Sequence, residues 1–566
     1  MNIFEKITKP RIKKNAFDLS HERKMSFDAT EIIPILCEEV VPSDKFSVNT
    51  ELFMRLAPMV APVMHRMNVF VDFFYVPNRI LWRGWERFIA GAGRTGTSLA
   101  NMGVYDGTNL SLPIYPYTQS RMTVDNIDYS AVGTLADYLG LPVAPNITAD
   151  NEATRAIYVN VLPFVAYQTI YWEYYRHEYL QSDANGIESE YGYLRQVLDS
   201  FKNNEVLSMS GIPSNFLKAI LTLRNHNWES DYFTSALPYT QLGTPITFGS
   251  TSQTEAEVQL KQGNTDAGKW TNRPQLTDST DEESQAYNPN GTLEAIGENY
   301  SSFNVNDLRK AFQVQRWMER NFRGGIRYIE QLFSHFGVRS SNKTLQRPQY
   351  LGGGRAPVVI SEVLQTAGNG GSTNPQLGVG NMAGHGYASS GKWKFSKYFE
   401  EHGYVIGLMS VMPRTSYQQG MQRTFMRRDQ LDFYFPEFAH LGEQKVNNGE
   451  LYYTDATTNM SAFGYTPRYQ EYRERQSTVH GHFKSDSETS VYNDLTKWHL
   501  GRVFSSAPAL NDTFIKATPD ITDRIFQFGT ASGDDHLIAQ IINHVTAIRP
   551  MPRFGTPGLV DHFGGK

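Results

Sequence analysis

The stretch GAGRTG, Gly91 to Gly96, has the GxGxxG spacing in which glycines let a backbone approach a pyrophosphate at the start of a helix. That chemistry needs a buried strand before the glycines, a helix after them and an acidic residue further on. Here they follow WERFIA and precede TSLANMG, so a loop is expected. LGGGRAP, Leu351 to Pro357, lacks the Lys-Ser/Thr ending of a phosphate loop. His177 and Glu178 lack the second histidine of HExxH, and His480 and His482 have no sequence-local carboxylate or thiolate to complete a metal site. Glu400 with Glu401, or Glu471 with Glu474, could share acid-base work, but that chemistry depends on an oxygen separation the sequence does not give. These motifs point to no catalytic residue, metal or cofactor.

A different signal comes from arginines interleaved with large aromatic rings. NRILWRGWERF places Arg79, Arg83 and Arg87 among Trp82, Trp85 and Phe88, and YWEYYRHE, RYQEYRERQ and QRTFMRRDQ repeat the mixture. Aromatic rings fill cores, with arginine stems covering the rim. The same residue types are enriched at protein interfaces. Composition alone leaves both readings open.

The elements that must position these residues are mostly strands. In VFVDFFYV, Val69, Val71, Phe73 and Tyr75 fall on one face and Phe70, Asp72 and Phe74 on the other, and Pro77 ends the run. KFSVNTELFMRL alternates as a strand and could pair with it as a neighbour across the Pro58 and Pro62 turns. GYVIGLMSVMP reads as a buried strand, and DDHLIAQIINHVTAIRPMP as the best late one. TLADYLGL is expected to be a short helix capped by Thr134 and closed by Gly140, and LPFVAYQTIYWEYYRHE a stronger one with Pro163 in its first turn. A further helix should start at the N-cap Asn304 and break at Gly324 and Gly325. Strands at both ends with long, partly helical excursions between them describe a two-sheet β framework.

The 566 residues are 40% hydrophobic and 13% aromatic, with 45 Gly and 27 Pro, which suits an all-β framework with long connections. The single cysteine, Cys37, allows no intramolecular disulfide; it is expected to be a small buried hydrophobe in a chain assembled in a reducing cytoplasm. No apolar leader or membrane-spanning run is visible. The net charge of −5 argues against a surface that binds nucleic acid throughout. Residues 1–25 nevertheless hold seven Lys/Arg against three Asp/Glu, and residues 250–300 hold three against nine. Polar, aperiodic residues 246–300 are expected to form an exposed excursion.

Seven stretches in order resemble the major capsid proteins of microviruses, in particular the gokushovirus-like branch. They are FDLSHERKMSF (Phe17 to Phe27), FFYVPNRILWRGWERF (Phe73 to Phe88), DYFTSALPYTQLG (Asp231 to Gly243), FRGGIRYIEQLFSHFGVRSSN (Phe322 to Asn342), QRPQYLGG (Gln346 to Gly353), EHGYVIGL (Glu401 to Leu408) and FGYTPRYQEYR (Phe463 to Arg473). The resemblance implies a mainly β fold, an eight-stranded viral jelly roll of two packed antiparallel sheets with long, partly helical insertions. It implies a single capsid domain over residues 26–566, with 246–300 forming part of a surface protrusion near the threefold axes. The implied function is an icosahedral homo-oligomeric shell around circular single-stranded DNA, assembled in the bacterial cytoplasm. Implied partners are a small basic DNA-packaging protein, other virion proteins and a host cell-surface receptor, with no membrane insertion.

In such a shell, Arg79, Trp82, Arg83, Trp85, Arg87 and Phe88 are candidate subunit contacts, with packing inside one subunit as the competing reading. Lys6, Lys9, Arg11, Lys13 and Lys14, in the basic arm of residues 1–25, are candidate DNA contacts that need not read sequence. The alternative from another class is a β-sandwich carbohydrate-active enzyme or carbohydrate-binding protein whose aromatic rings form a sugar platform.

Overall fold

The computed structural model describes residues 13–89, 112–146, 157–181, 214–241, 259–262, 265–269, 305–325, 327–364, 382–484, 495–530 and 534–553. Two antiparallel sheets dominate. Their strands are β1 (Asn15–Asp18), β2 (His21–Phe27), β3 (Ile33–Val40), β4 (Lys45–Leu56), β5 (Met67–Pro77), β6 (Gln349–Pro357), β7 (Val359–Leu364), β8 (Met382–Tyr398), β9 (Gly403–Pro413) and β10 (Leu537–Arg549). The first sheet has the order β1-β10-β4-β8-β7, with β2 sharing the edge of β10 that β1 also uses. The second has the order β6-β5-β9-β3. The pairings nest: β2 with β10, β3 with β9, β4 with β8 and β5 with β6.

The alternation read in β4 and β10 fixes which face turns inward. Phe46, Val48, Leu52, Met54 and Leu56 of β4 are buried, as are Leu537, Ala539, Ile541, Val545 and Ala547 of β10. They pack against Val69, Val71, Phe73 and Tyr75 of β5 and Val405, Met409 and Val411 of β9. Each buried Val, Leu, Ile, Phe or Met among them contributes roughly 1.5–3 kcal/mol. One polar tie crosses this core: Thr50 Oγ1 donates to Asn543 Oδ1 at 2.8 Å, and Asn543 Nδ2 donates to the Ile35 carbonyl at 3.0 Å. The tie leaves no buried amide atom of Asn543 unpaired.

The expectation that β4 and β5 pair side by side is corrected. β4 bonds to β8 and β10, whereas β5 bonds to β6 and β9. Residues 57–66 carry the chain from one sheet to the other, because each strand has one apolar face and the two faces bury each other across the core.

All eleven residues of β9 are buried, since its second face is covered too. Tyr404, Ile406 and Leu408, with Phe74 and Val76 of β5, join a second core. Its other wall is built by α1 (Asn78–Leu81), α3 (Leu135–Leu139) and α4 (Leu162–Ile170), the helix α2 (Trp85–Ile89) lying between α1 and α3 in the chain. Pro163 sits in the first turn of α4, as expected, and a π turn over Tyr171–Tyr175 extends it. Tyr167 anchors α4 by donating to the Ile32 carbonyl at 2.8 Å. Gly140 closes α3 at φ 101°, a conformation that favours glycine.

The chain divides into two compact units, 1–239 with 338–566, and 240–337. Within the second, α5 (Val305–Gly324) ends where Gly325 turns at φ 94°, and α6 (Tyr328–Phe336) closes at Gly337, φ 69°. A hairpin pairs Gln259–Gln262 with Thr265–Lys269. Most of residues 246–300, the proposed cap Asn304 and the GAGRTG stretch lie outside the described residues.

Candidate assembly surface

Past the end of β5 the arginine and aromatic cluster divides between core and surface. Pro77 directs the chain into α1, where Asn78 N–H donates to the His402 carbonyl at 3.0 Å. Arg79 forks onto Glu401, with Nε to Oε2 at 3.0 Å and Nη2 to Oε1 at 3.3 Å, and lies 3.7 Å from Glu86. Its guanidinium is thus used inside the subunit. Trp82 is 1% exposed and packs in the second core, so this ring has almost no surface left for a neighbouring copy. Trp85 and Phe88 are half-buried at the edge of that core, 5.8 Å apart between ring centroids, and Arg83 is exposed. The side chain of Arg87 lies outside the described residues. The physical reason for the split is position: α1 packs on β5 and β9, so Trp82 at its C-cap is carried into the second core, whereas α2 lies at the rim with only Trp85 and Phe88 turned to that core.

Of the basic arm, Lys13 and Lys14 are described and both are exposed; Lys6, Lys9 and Arg11 are not among the described residues. Lys14 Nζ donates to the Ser43 carbonyl at 2.8 Å and stands 5.1 Å from the Tyr398 ring, so it is docked on its own subunit. Cys37 is half-buried against the second core, and burial pushes its thiol up to about 12.

Two of the other three arginine-rich stretches, QRTFMRRDQ and RYQEYRERQ, converge. Glu450, its side chain 1% exposed, accepts from Arg423 Nη1 at 2.8 Å, from the Tyr232 hydroxyl at 2.9 Å and from Asn447 N–H at 3.0 Å. Burial holds the Glu450 carboxyl above the usual range, against the pull of Arg423. Beside it, Glu471 accepts from Arg427 Nη2 at 3.0 Å and from Gln444 Nε2 at 2.6 Å. The Arg427 guanidinium stacks 4.5 Å from the Tyr472 ring and 5.4 Å from the Phe433 ring. Of the carboxylates that could have shared acid-base chemistry, Glu400 is paired with Lys343, Glu401 with Arg79 and Glu471 with Arg427, while Glu474 accepts from Gln470 Nε2 at 3.1 Å.

This knot anchors the segment 425–441, which presents apolar side chains outward. Phe425, Leu431 and Leu441 are 77%, 56% and 63% exposed, and Phe433, Tyr434 and Phe435 are about half exposed. Tyr434 packs on Tyr469 and Tyr472, and Phe435 on Phe438, so the rings are held in place while their outer faces stay open. Exposed apolar surface on such a scale marks an interaction site. The sequence signal for it was the run FMRRDQLDFYFPEF, whose aromatic residues follow neither a helical nor a strand period. Among the described residues no group of three or more His, Cys, Asp or Glu could hold a metal ion, and no helix is long and apolar enough to cross a membrane.

Two antiparallel sheets carrying long connections, with ion-paired arginines holding aromatic rings outward, have the form of a structural subunit rather than of a catalytic one. The family model described as "Capsid protein (F protein)" matches residues 5–559, and the chain belongs to that family. It is 30% identical to capsid protein VP1 of Chlamydia phage 1 over 99% of this chain and 98% of the relative. It is 31% identical to capsid protein VP1 of Bdellovibrio phage phiMH2K over the same shares, and 26% identical to that of Spiroplasma virus 4 over 97% and 96%. The resemblance to microvirus major capsid proteins holds over the whole chain, and the protein is a structural capsid protein that assembles into a virion shell. The carbohydrate reading finds no counterpart among these relatives.

Proposed function

We propose that the chain folds as an eight-stranded viral jelly roll and that many copies close an icosahedral shell around a circular single-stranded DNA genome. The observation that carries this is the nested pairing. Taken in chain order, β2, β3, β4, β5, β6, β8, β9 and β10 pair first with last, second with seventh, third with sixth and fourth with fifth. That is one long hairpin rolled so that alternate pairs fall in opposite sheets, which is the path of a jelly roll.

Subunit contacts on this reading are made by the exposed segment 425–441 and by the half-buried edge of Trp85 and Phe88 with Arg83. The excursion 246–300, inside the unit 240–337, builds part of an outer protrusion used in host attachment. The part of the basic arm ahead of β1, residues 1–14, faces the genome together with a small basic packaging protein, since β1 and β2 already belong to the first sheet, and assembly takes place in the host cytoplasm. No catalytic role is proposed. Purified protein examined by electron microscopy and light scattering should form uniform closed shells or their oligomeric precursors. A persistent monomer under assembly conditions would overturn the shell reading.

A further inference from the structure

Asp72 interrupts the outer, otherwise aromatic face of β5, in register with Gly353 of β6 and Leu408 of β9. Its carboxylate forms the floor of a cleft of about 480 Å³ lined by Phe74, Tyr174, Tyr175, Trp228, Glu229 and Tyr350, with His226 also on the wall. The Tyr175 hydroxyl donates to Oδ2 at 3.1 Å and the Tyr350 hydroxyl to Oδ1 at 3.2 Å. A carboxylate has about four acceptor positions, so roughly two remain, one on each oxygen. Among the described residues no Lys or Arg pairs with Asp72. Arg176, also on the wall, is engaged elsewhere, 3.9 Å from the Trp172 ring and donating to the Gln181 carbonyl at 3.2 Å. Burial raises the Asp72 carboxyl above its ordinary range, as expected for a charge with no compensating cation.

The space beside Asp72 is kept deliberately. A Cβ on Gly353 would collide with Asp72 Oδ1 and the Val71 carbonyl, so glycine at this register position is what lets the carboxylate and Tyr350 meet. Around them Phe74 packs 4.8 Å from Tyr174 and 5.5 Å from Tyr350, and Tyr175 packs 5.3 Å from His226. A buried acceptor pair floored between ring faces, with Glu229 as a second negative charge, matches a planar cation that can both stack and fork.

We propose that this cleft receives an arginine side chain from a second polypeptide of the particle, its guanidinium forked onto Asp72 and stacked on Tyr350, whose ring is 47% exposed, whereas Phe74 is buried and the Tyr174 and Trp228 rings already carry Arg347 and Arg502. Only the nature of the partner rests on the shell reading; the site itself is tested on unassembled full-length subunits. A fluorescent Gly-Ser peptide with one arginine is titrated by anisotropy beside the same peptide with citrulline, its neutral isostere. The arginine peptide should bind at least tenfold tighter, and Asp72→Asn should remove that preference while melting no lower than the wild type. Should Asp72→Asn melt lower, Glu229→Gln supplies the second variant, with a several-fold smaller preference expected. A peptide of residues 1–14, which contains Arg11, that competes at least tenfold more tightly than the Gly-Ser arginine peptide assigns the ligand to the arm of another copy; competition no tighter than that peptide assigns it to a separate basic protein. Equal binding of the arginine and citrulline peptides overturns the site.

Discussion

Arg423 and Glu450 meet at 2.8 Å with the Glu450 side chain 1% exposed, so the segment that carries the exposed rings 425–441 is tied down by a nearly dry ion pair. Removing one partner of such a pair leaves the other charge uncompensated. Glu450→Ala is expected to cost about 3 kcal/mol. Urea unfolding of the subunit should show this as a lowered midpoint with an unchanged slope, and an unshifted midpoint would show that the pair holds nothing.

Core and assembly surface separate by mutation. Trp82→Ala removes a buried ring and should destabilise the subunit by about 3–5 kcal/mol. Phe425→Ser or Leu431→Ser touches little of the core and should change unfolding by no more than about 0.5 kcal/mol. The two serine variants are nevertheless expected to lower shell yield in a sedimentation assay at wild-type subunit concentration. Full shell yield from both would remove the segment from the subunit contacts.

The tie between the sheets predicts a polar penalty. Asn543→Ala leaves the Thr50 hydroxyl and the Ile35 carbonyl without their shared partner, for a loss of about 1–3 kcal/mol. Hydrogen exchange at the β4 and β10 amides should quicken together in this variant, because both strands border the lost bonds.

Stability should fall as the solution becomes alkaline. Burial lifts the Glu31 carboxyl from 4.5 to about 8, and Asp28 and Asp535 add to the effect. A group whose folded pKa lies above its unfolded one stabilises fully below the unfolded value and ceases to do so as pH rises through the folded value, here between about 4.5 and 8. His536 acts in the same direction: burial opposes its protonation, but Asp28 at 3.1 Å and the Phe528 carbonyl at 2.8 Å outweigh it and raise its pKa. Melting temperatures across pH 5 to 9 should therefore decline, and Glu31→Gln should flatten the curve, as measured by calorimetry. An unaltered slope in the variant would remove Glu31 from the cause.

Strands were legible wherever one physical rule dominated. The period of two in β4 and β10 and the double-faced apolar character of β5 and β9 appear in the structure as read, and Gly140 and Pro163 punctuate their helices as expected. Partnering was not legible, because alternation says that a face is buried and not against which strand: β4 and β5 could pair as neighbours on sequence grounds, and they belong to two sheets. Trp82 escaped for a related reason. Neighbouring tryptophans look alike in a sequence, and only the position of α1 on the second sheet sends one inward and leaves Trp85 at the edge. Asp72 was visible as the single charge in its strand, but the tyrosines that define its cleft come from positions 103 and 278 residues away.

Strand β10 lies inside the first sheet, with β4 along one side and β1 and β2 along the other. Its pairs Leu537 with Leu56 and Leu537 with Phe27 join residues 481 and 510 positions apart, so the partners in β2 and β4 are made long before β10. Until the ribosome reaches β10, the sheet has a gap at its centre, and β4 offers an unpaired edge to any strand it meets. Contacts of such span are slow to form. A chain lacking β10 would leave both β2 and β4 without this partner and the inner face of the first sheet without Leu537, Ala539, Ile541, Val545 and Ala547.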